Sequence, residues 1–218
     1  MSTQLFRILT ALCGVLGAAT LVTSFTMTPG PPTGVSIVQV ITFIHQYHDI
    51  LLMQAWLQAT GAFLNVLFVI AIIHLANATT RLAGWITMVA GTVILMVSLL
   101  EVTFYLSVVQ GSASGNPATI TTSLDIIKAV QHLFLIAPAL FLPLGIALLG
   151  SHVLPQVFGY LALVIGVTLQ ILGVVGLFNP IQNVIDNVLI VQELWTVAAA
   201  ITLIVRVGKA SVIAGVKQ

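Results

Sequence analysis

Charge is what this sequence has least of. Its 218 residues include six basic and five acidic side chains, 5% of the chain, where ordinary soluble domains carry about 25%. So few charges cannot cover a soluble globule of this size, and no basic run offers a face to nucleic acid. A single cysteine, Cys13, excludes an internal disulfide and any thiol pair. It lacks the preceding small residue of a lipoprotein signal and reads as a packing residue. No glycine-rich phosphate loop, Gly-x-Ser-x-Gly elbow or His-Glu-x-x-His helix occurs. Phosphate-cradling, serine-hydrolase and zinc-peptidase chemistries therefore have no anchor, and an enzyme is the less expected outcome.

What the chain has instead is apolar length, with 59% hydrophobic residues and a mean hydropathy of +1.18. A run of about 20 apolar residues crosses a bilayer as a helix. Such runs lie near residues 6–27, 50–75, 83–109, 133–150, 157–178 and 188–206. The expectation is one integral membrane domain over 1–218, an all-α polytopic bundle of six transmembrane helices whose main partner is the lipid bilayer. Arg7 followed by an apolar run imitates a signal peptide, but the run approaches spanning length, so an uncleaved first helix is expected.

Orientation follows from the basic residues. With the N- and C-termini cytoplasmic, Arg7, Arg81, Arg206, Lys209 and Lys217 lie inside and only Lys128 outside. Asp49, Asp125 and Asp186 then fall at outer helix ends, with Glu101 and Glu193 in the outer half at similar depth. By helical rise Glu101 is about 30 Å from Arg81, near the outer hydrocarbon edge. A carboxyl there needs a proton or a cationic partner, for which Lys128 and His132 are candidates.

Several polar residues share helix faces. Gln54, Gln58, Gly61 and Asn65, at spacings of four, three and four, form one stripe on an apolar rod. Asp125, Lys128 and His132 form another at the mouth of the fourth apolar run, and Asp186, Glu193, Thr196 and Ala200 share a face of the last. The segment at residues 35–47 reads as a surface helix leading into the second span. It ends in His45, His48 and Asp49, whose spacing suits a metal, and His132 is a further candidate ligand. No resident cofactor is expected, although these histidines leave haem or a metal open. The connection at residues 110–123 reads as a flexible outer lid, and Asp186 or Asn187 as the N-cap of the last helix.

Small residues recur at sevens: Thr10, Gly17 and Ser24; Gly84, Gly91 and Ser98; Gly159, Gly166 and Gly173. Such faces let helices approach closely in lipid. The 74- and 75-residue offsets between these sets suggest three helical hairpins, with Gln58, His132 and Glu193 in one layer of a central cavity. The layout, together with Pro155-Gln-Val-Phe-Gly-Tyr-Leu opening the fifth span, resembles an uncharacterised family of bacterial six-helix integral membrane proteins. That resemblance implies a bacterial inner membrane and carries no known activity.

Three readings of function stay open. In the first, Gln54, Gln58, Glu101, Lys128, His132 and Glu193 line an outward-facing polar cavity that binds a small ligand or ion, for transport or sensing. Glu193 and His132 are then expected within one water of each other or of Glu101. In the second, the chain packs against a membrane partner and has no ligand site. In the third, histidines hold haem or a metal in a membrane redox protein or enzyme.

Overall fold

The computed structural model describes residues 3–28, 35–136, 140–176, 178 and 182–215; for residues 130–136, 182–186, 188 and 207–215 the backbone alone is described. Among the described residues there are eight helices and no strand: α1 Thr3–Thr26, α2 Ile37–Gln46, α3 His48–Leu75, α4 Leu82–Ala113, α5 Pro117–Ile136, α6 Phe141–Leu149, α7 Gln156–Gly176 and α8 Gln182–Gly215. Five are long and apolar enough to cross a membrane: α1, α3, α4, α7 and residues Leu189–Arg206 of α8.

The fourth expected span is not among these five: its described residues fall at the end of α5 and in the nine-residue α6, and residues 137–139 between them lie outside the described residues. Pro143 sits in the first turn of α6, where a missing backbone N–H is no loss. The expected lid at 110–123 is also replaced. α4 runs through Ala113 and α5 begins at Pro117, leaving only Ser114, Gly115 and Asn116 as a turn. Gly115 supplies the left-handed backbone (φ 63°) that the tight reversal needs. The Asn116 side chain accepts the Thr119 N–H at 3.3 Å, and Pro117 opens the helix. Likewise α8 begins at Gln182, ahead of the expected caps at Asp186 or Asn187.

The helices form a closed ring. α1 lies between α3 and α8, α4 packs on α3, α5 and α6, and α7 closes the ring against α5, α6 and α8. The small-residue faces make the tight contacts. A Cβ on Gly17 would come within 2.7 Å of Asn65 Oδ1 on α3, and one on Gly145 of α6 within 2.8 Å of the Gly159 carbonyl of α7. Leu9, Leu16, Val89, Met96, Val164, Ile171, Leu194 and Ile201 point outward. A belt of that kind is tolerable against lipid and not against water.

Both ends of the bundle are tied. At one end Arg81 donates to the Gly150 carbonyl (3.1 Å), Arg206 to the carbonyls of His152 (2.7 Å) and Val153 (3.0 Å), and Phe6 meets His74 edge to face. Above this arginine end lies the main core, with Phe68, Ile72 and Ile73 of α3 against Leu144 and Leu148 of α6, Leu169 of α7, and Trp195 and Leu203 of α8. At the other end α2 lies over α3, α4 and α5. Val40, Ile44, Leu51, Val108, Val109, Ile120 and Ile127 form a second apolar cluster there. The Ser36 N–H donates to Gln39 Oε1 (3.1 Å) at the start of α2, and the chain bends at Tyr47 into α3.

Candidate functional site: two carboxyls on one amide ladder

The polar stripe of α3 faces the interior, and each of its amides reaches a different part of the ring. Gln54 Oε1 accepts from the Thr28 hydroxyl just beyond α1 at 2.8 Å. Gln58 Nε2 donates to Glu101 Oε2 on α4 at 2.8 Å. Asn65 Nδ2 donates to Glu193 Oε2 on α8 at 2.9 Å, and Gln192 Nε2 approaches the other oxygen of the same carboxyl at 3.3 Å. α1 closes over the stripe at Gly61, where a Cβ would come within 2.7 Å of the Thr20 hydroxyl. The amides explain why these carboxyls can sit in an apolar bundle at all: a buried acceptor without a donor costs several kcal/mol in lipid.

The two carboxyls occupy different depths. Glu193 is 13 residues from Arg206 along α8, and Glu101 is 20 residues from Arg81 along α4. At about 1.5 Å per residue they stand roughly 20 Å and 30 Å above the arginine end. Gln58 and Asn65, seven residues apart on α3, give the same interval of about 10 Å. Measured against a hydrocarbon core about 30 Å thick that starts at the arginine end, Glu193 stands about two-thirds of the way across and Glu101 near the boundary on the α2 side. This corrects the expectation of similar depth. It also moves Gln58 out of the Glu193 layer and puts Asn65 there, contrary to the layer derived from the sequence repeat.

The carboxyls follow the same order in burial, Glu193 being 8% exposed, with Thr196 buried one turn beyond, and Glu101 half-buried; the amides do not, Gln58 being 3% exposed and Asn65 half-buried. Asn65 Oδ1 is buried without a hydrogen-bond partner. Below Glu193 the ladder ends on the apolar core around Phe68 and Trp195, whose indole N–H donates to the Phe158 carbonyl (3.0 Å).

The remaining expected site residues lie elsewhere. Lys128 stands 4.0 Å from Asp125, both side chains being 68% exposed. Ser107 and Ser123 bond across the α4–α5 hairpin at 3.1 Å, a register that sets Lys128 level with Glu101. The His132 side chain is outside the described residues, so its expected approach to Glu193 lies there too. His45 is exposed, and His48 Nδ1 pairs with Asp49 Oδ1 (2.8 Å) on the exposed α2 side. Among the described residues no three His, Cys, Asp or Glu side chains gather as a metal site. A small cavity between α2, α3, α4 and α5 is lined by apolar side chains and Tyr105, and includes none of the ladder amides.

Gln192 and Thr28 escaped the reading of the sequence. Gln192 neighbours Glu193 in the chain, and adjacent helical residues do not normally share a face. Thr28 follows the helix it serves. Asn65 was visible as part of the stripe, but nothing in the sequence gave it a partner. Comparison with protein-family models, curated proteins and solved structures finds no match to this chain.

Proposed function

We propose that this multi-pass membrane protein takes up a small cationic ligand at its interior carboxyls, Glu193 first, from the end of the bundle that carries α2. The observation that carries this reading is the partner set of Glu193. A buried carboxyl well inside the bundle receives two neutral amides and, among the described residues, no basic side chain. If ionised, it brings a negative charge into low dielectric that no described basic side chain neutralises, and the proposed ligand supplies the counter-charge. The ladder Gln54, Gln58 and Asn65 supplies polar atoms from the α2 end to that depth, and the apolar core beyond it supports binding without conduction. The excess of arginine at the other end favours a cytoplasmic location for that end, hence uptake from the extracytoplasmic side of a bacterial inner membrane.

The test is thermal unfolding in lipid nanodiscs of wild type and Glu193→Gln, across pH and across sodium, potassium, calcium and ammonium salts. A ligand bound only by the folded state at a hundred times its Kd raises stability by about 2.7 kcal/mol. The expected result is at least one condition that shifts wild type and leaves Glu193→Gln unmoved. Identical responses overturn the reading. They would favour the alternative that the ladder only fixes helix register, a role supported by α3 bonding separately to α4 and α8.

A further inference from the structure

The proposed site carries a more specific reading, which rests on it. We infer that the ligand of Glu193 is the proton, and that Asn65 is the positioning residue that lets the carboxyl gain and lose it reversibly. Both oxygens of Glu193 face N–H groups, Asn65 Nδ2 at 2.9 Å and Gln192 Nε2 at 3.3 Å. Sodium, potassium or calcium would need several oxygen ligands turned toward it; Glu193 supplies its own two, and Asn65 and Gln192 would both have to turn to add one each. A proton needs a single lone pair.

When Oε2 takes a proton from a hydronium ion, an O–H bond of the hydronium breaks and one forms on Oε2, leaving water and a neutral carboxyl. That oxygen is now a donor, and an N–H facing it is the wrong partner. An asparagine amide carries a carbonyl of nearly the same size and shape as its NH2. Half a turn about its last side-chain bond brings Oδ1 to the new O–H, and release of the proton to water reverses both changes. Arg or Lys in this place has donors only and would hold the carboxyl ionised. One feature favours the turn: Oδ1 has no hydrogen bond to break. Gly17 closes over that side of the amide, where only the lack of a Cβ lets Oδ1 fit.

Few other titratable groups of the described residues stand near. On α3 itself, Asp49, His48 and His74 are at the two ends of the helix. α1 offers half-buried Cys13 and, at its far end, Arg7; α7 offers Tyr160, exposed near its first turn. α8 adds Arg206, about 20 Å away by helical rise. Among the described side chains the nearest carboxyl is Glu101, about 10 Å further up the ladder by the same measure; Asp186, seven residues before Glu193 on α8, is described by its backbone alone. Loading one site therefore bears on the other through their mutual repulsion.

The test is infrared difference spectroscopy in lipid, following the C=O absorption of protonated carboxyls over about pH 4 to 10. Sodium, potassium or calcium chloride is then added at fixed pH. Wild type is expected to show a titrating carboxyl band that Glu193→Gln lacks, that Glu193→Asp keeps at a changed position, and that the salts leave in place. In Asn65→Leu the midpoint of that band is expected to move by about one pH unit, a tenfold change in proton affinity. A role of Asn65 in packing alone would leave the midpoint where it was. Absence of a Glu193-dependent titrating band overturns the inference. If a metal salt then stabilises wild type and not Glu193→Gln, the cation reading stands and the proton reading falls. If neither pH nor salt separates the two proteins, both fall.

Discussion

Asn65 and Glu193 are 128 residues apart in the chain and 2.9 Å apart in the bundle, with the amide of one donating to the carboxyl of the other. α1 packs between the helices that carry them, so the bond crosses the interior by side-chain reach. It is the deepest rung of a ladder whose upper rung, Gln58 to Glu101, joins α3 to its neighbour α4.

Removing one end of that rung is expected to cost more than removing both. Asn65→Leu leaves Glu193 with the longer Gln192 contact alone and should destabilise the fold by about 1–3 kcal/mol. The double replacement Asn65→Leu with Glu193→Leu should cost less than the sum of the single changes, because no buried acceptor is then left short of a donor. Equilibrium unfolding in mixed micelles measures all three; strict additivity would count against the bond.

Gly17 is expected to tolerate no larger side chain. Its missing Cβ makes room for both Oδ1 and the backbone nitrogen of Asn65, so Gly17→Val should cost about 1–3 kcal/mol by overpacking. The loss should appear as a lower unfolding midpoint. Gly115→Ala is the contrasting change: it meets no neighbour within 4 Å, and its cost, about 1 kcal/mol, comes from the left-handed backbone alone.

The three tryptophans should divide two to one. Trp56 and Trp85 are 61% and 58% exposed among apolar neighbours, while Trp195 is 4% exposed and packs edge to face on Phe141 and Phe158. Brominated lipid should quench the emission of Trp56 and Trp85 and spare Trp195 in single-tryptophan variants. Trp195→Phe should cost about 1–3 kcal/mol, because it removes a buried hydrogen bond between α8 and α7 and shrinks a packed ring.

The arginine end and the α2 end should be labelled from opposite sides. With Cys13 replaced by Ala, a cysteine at exposed His45 should react with a membrane-impermeant maleimide in intact cells. One at exposed Thr80, beside Arg81, should react only after permeabilisation. The reverse pattern would invert the proposed orientation and the side from which Glu193 is reached.

Much of the scaffold was legible because its determinants are local. Spanning length and hydropathy mark α1, α3, α4, α7 and the Leu189–Arg206 part of α8. The three-four-four spacing of Gln54, Gln58, Gly61 and Asn65 marks a stripe that does face the interior. The recurring small residues mark faces that do pack closely, as at Gly17 and Gly159. The Asn116-Pro117 pair turned out to start a helix within what looked like a polar loop. A stretch rich in Ser, Thr and Gly resembles a loop in composition, and only its packing, with Gly111 against Thr119 and Ile120, makes it a hairpin.

Depth and partnership were not legible. The sequence by itself determined that an apolar chain must satisfy every backbone group within helices, and which faces of those helices are polar, because both follow from residue type and the helical repeat. It left Glu101 and Glu193 in one layer because distances along separate helices have no common origin in a sequence. The tertiary structure supplies that origin where Arg81 and Arg206 grip adjoining carbonyls of one loop. From there the two carboxyls separate by about two helical turns. Their amide partners follow from the same packing, since hydrogen bonds between distant helices depend on which helices touch, how far they slide, and where a glycine lets them close.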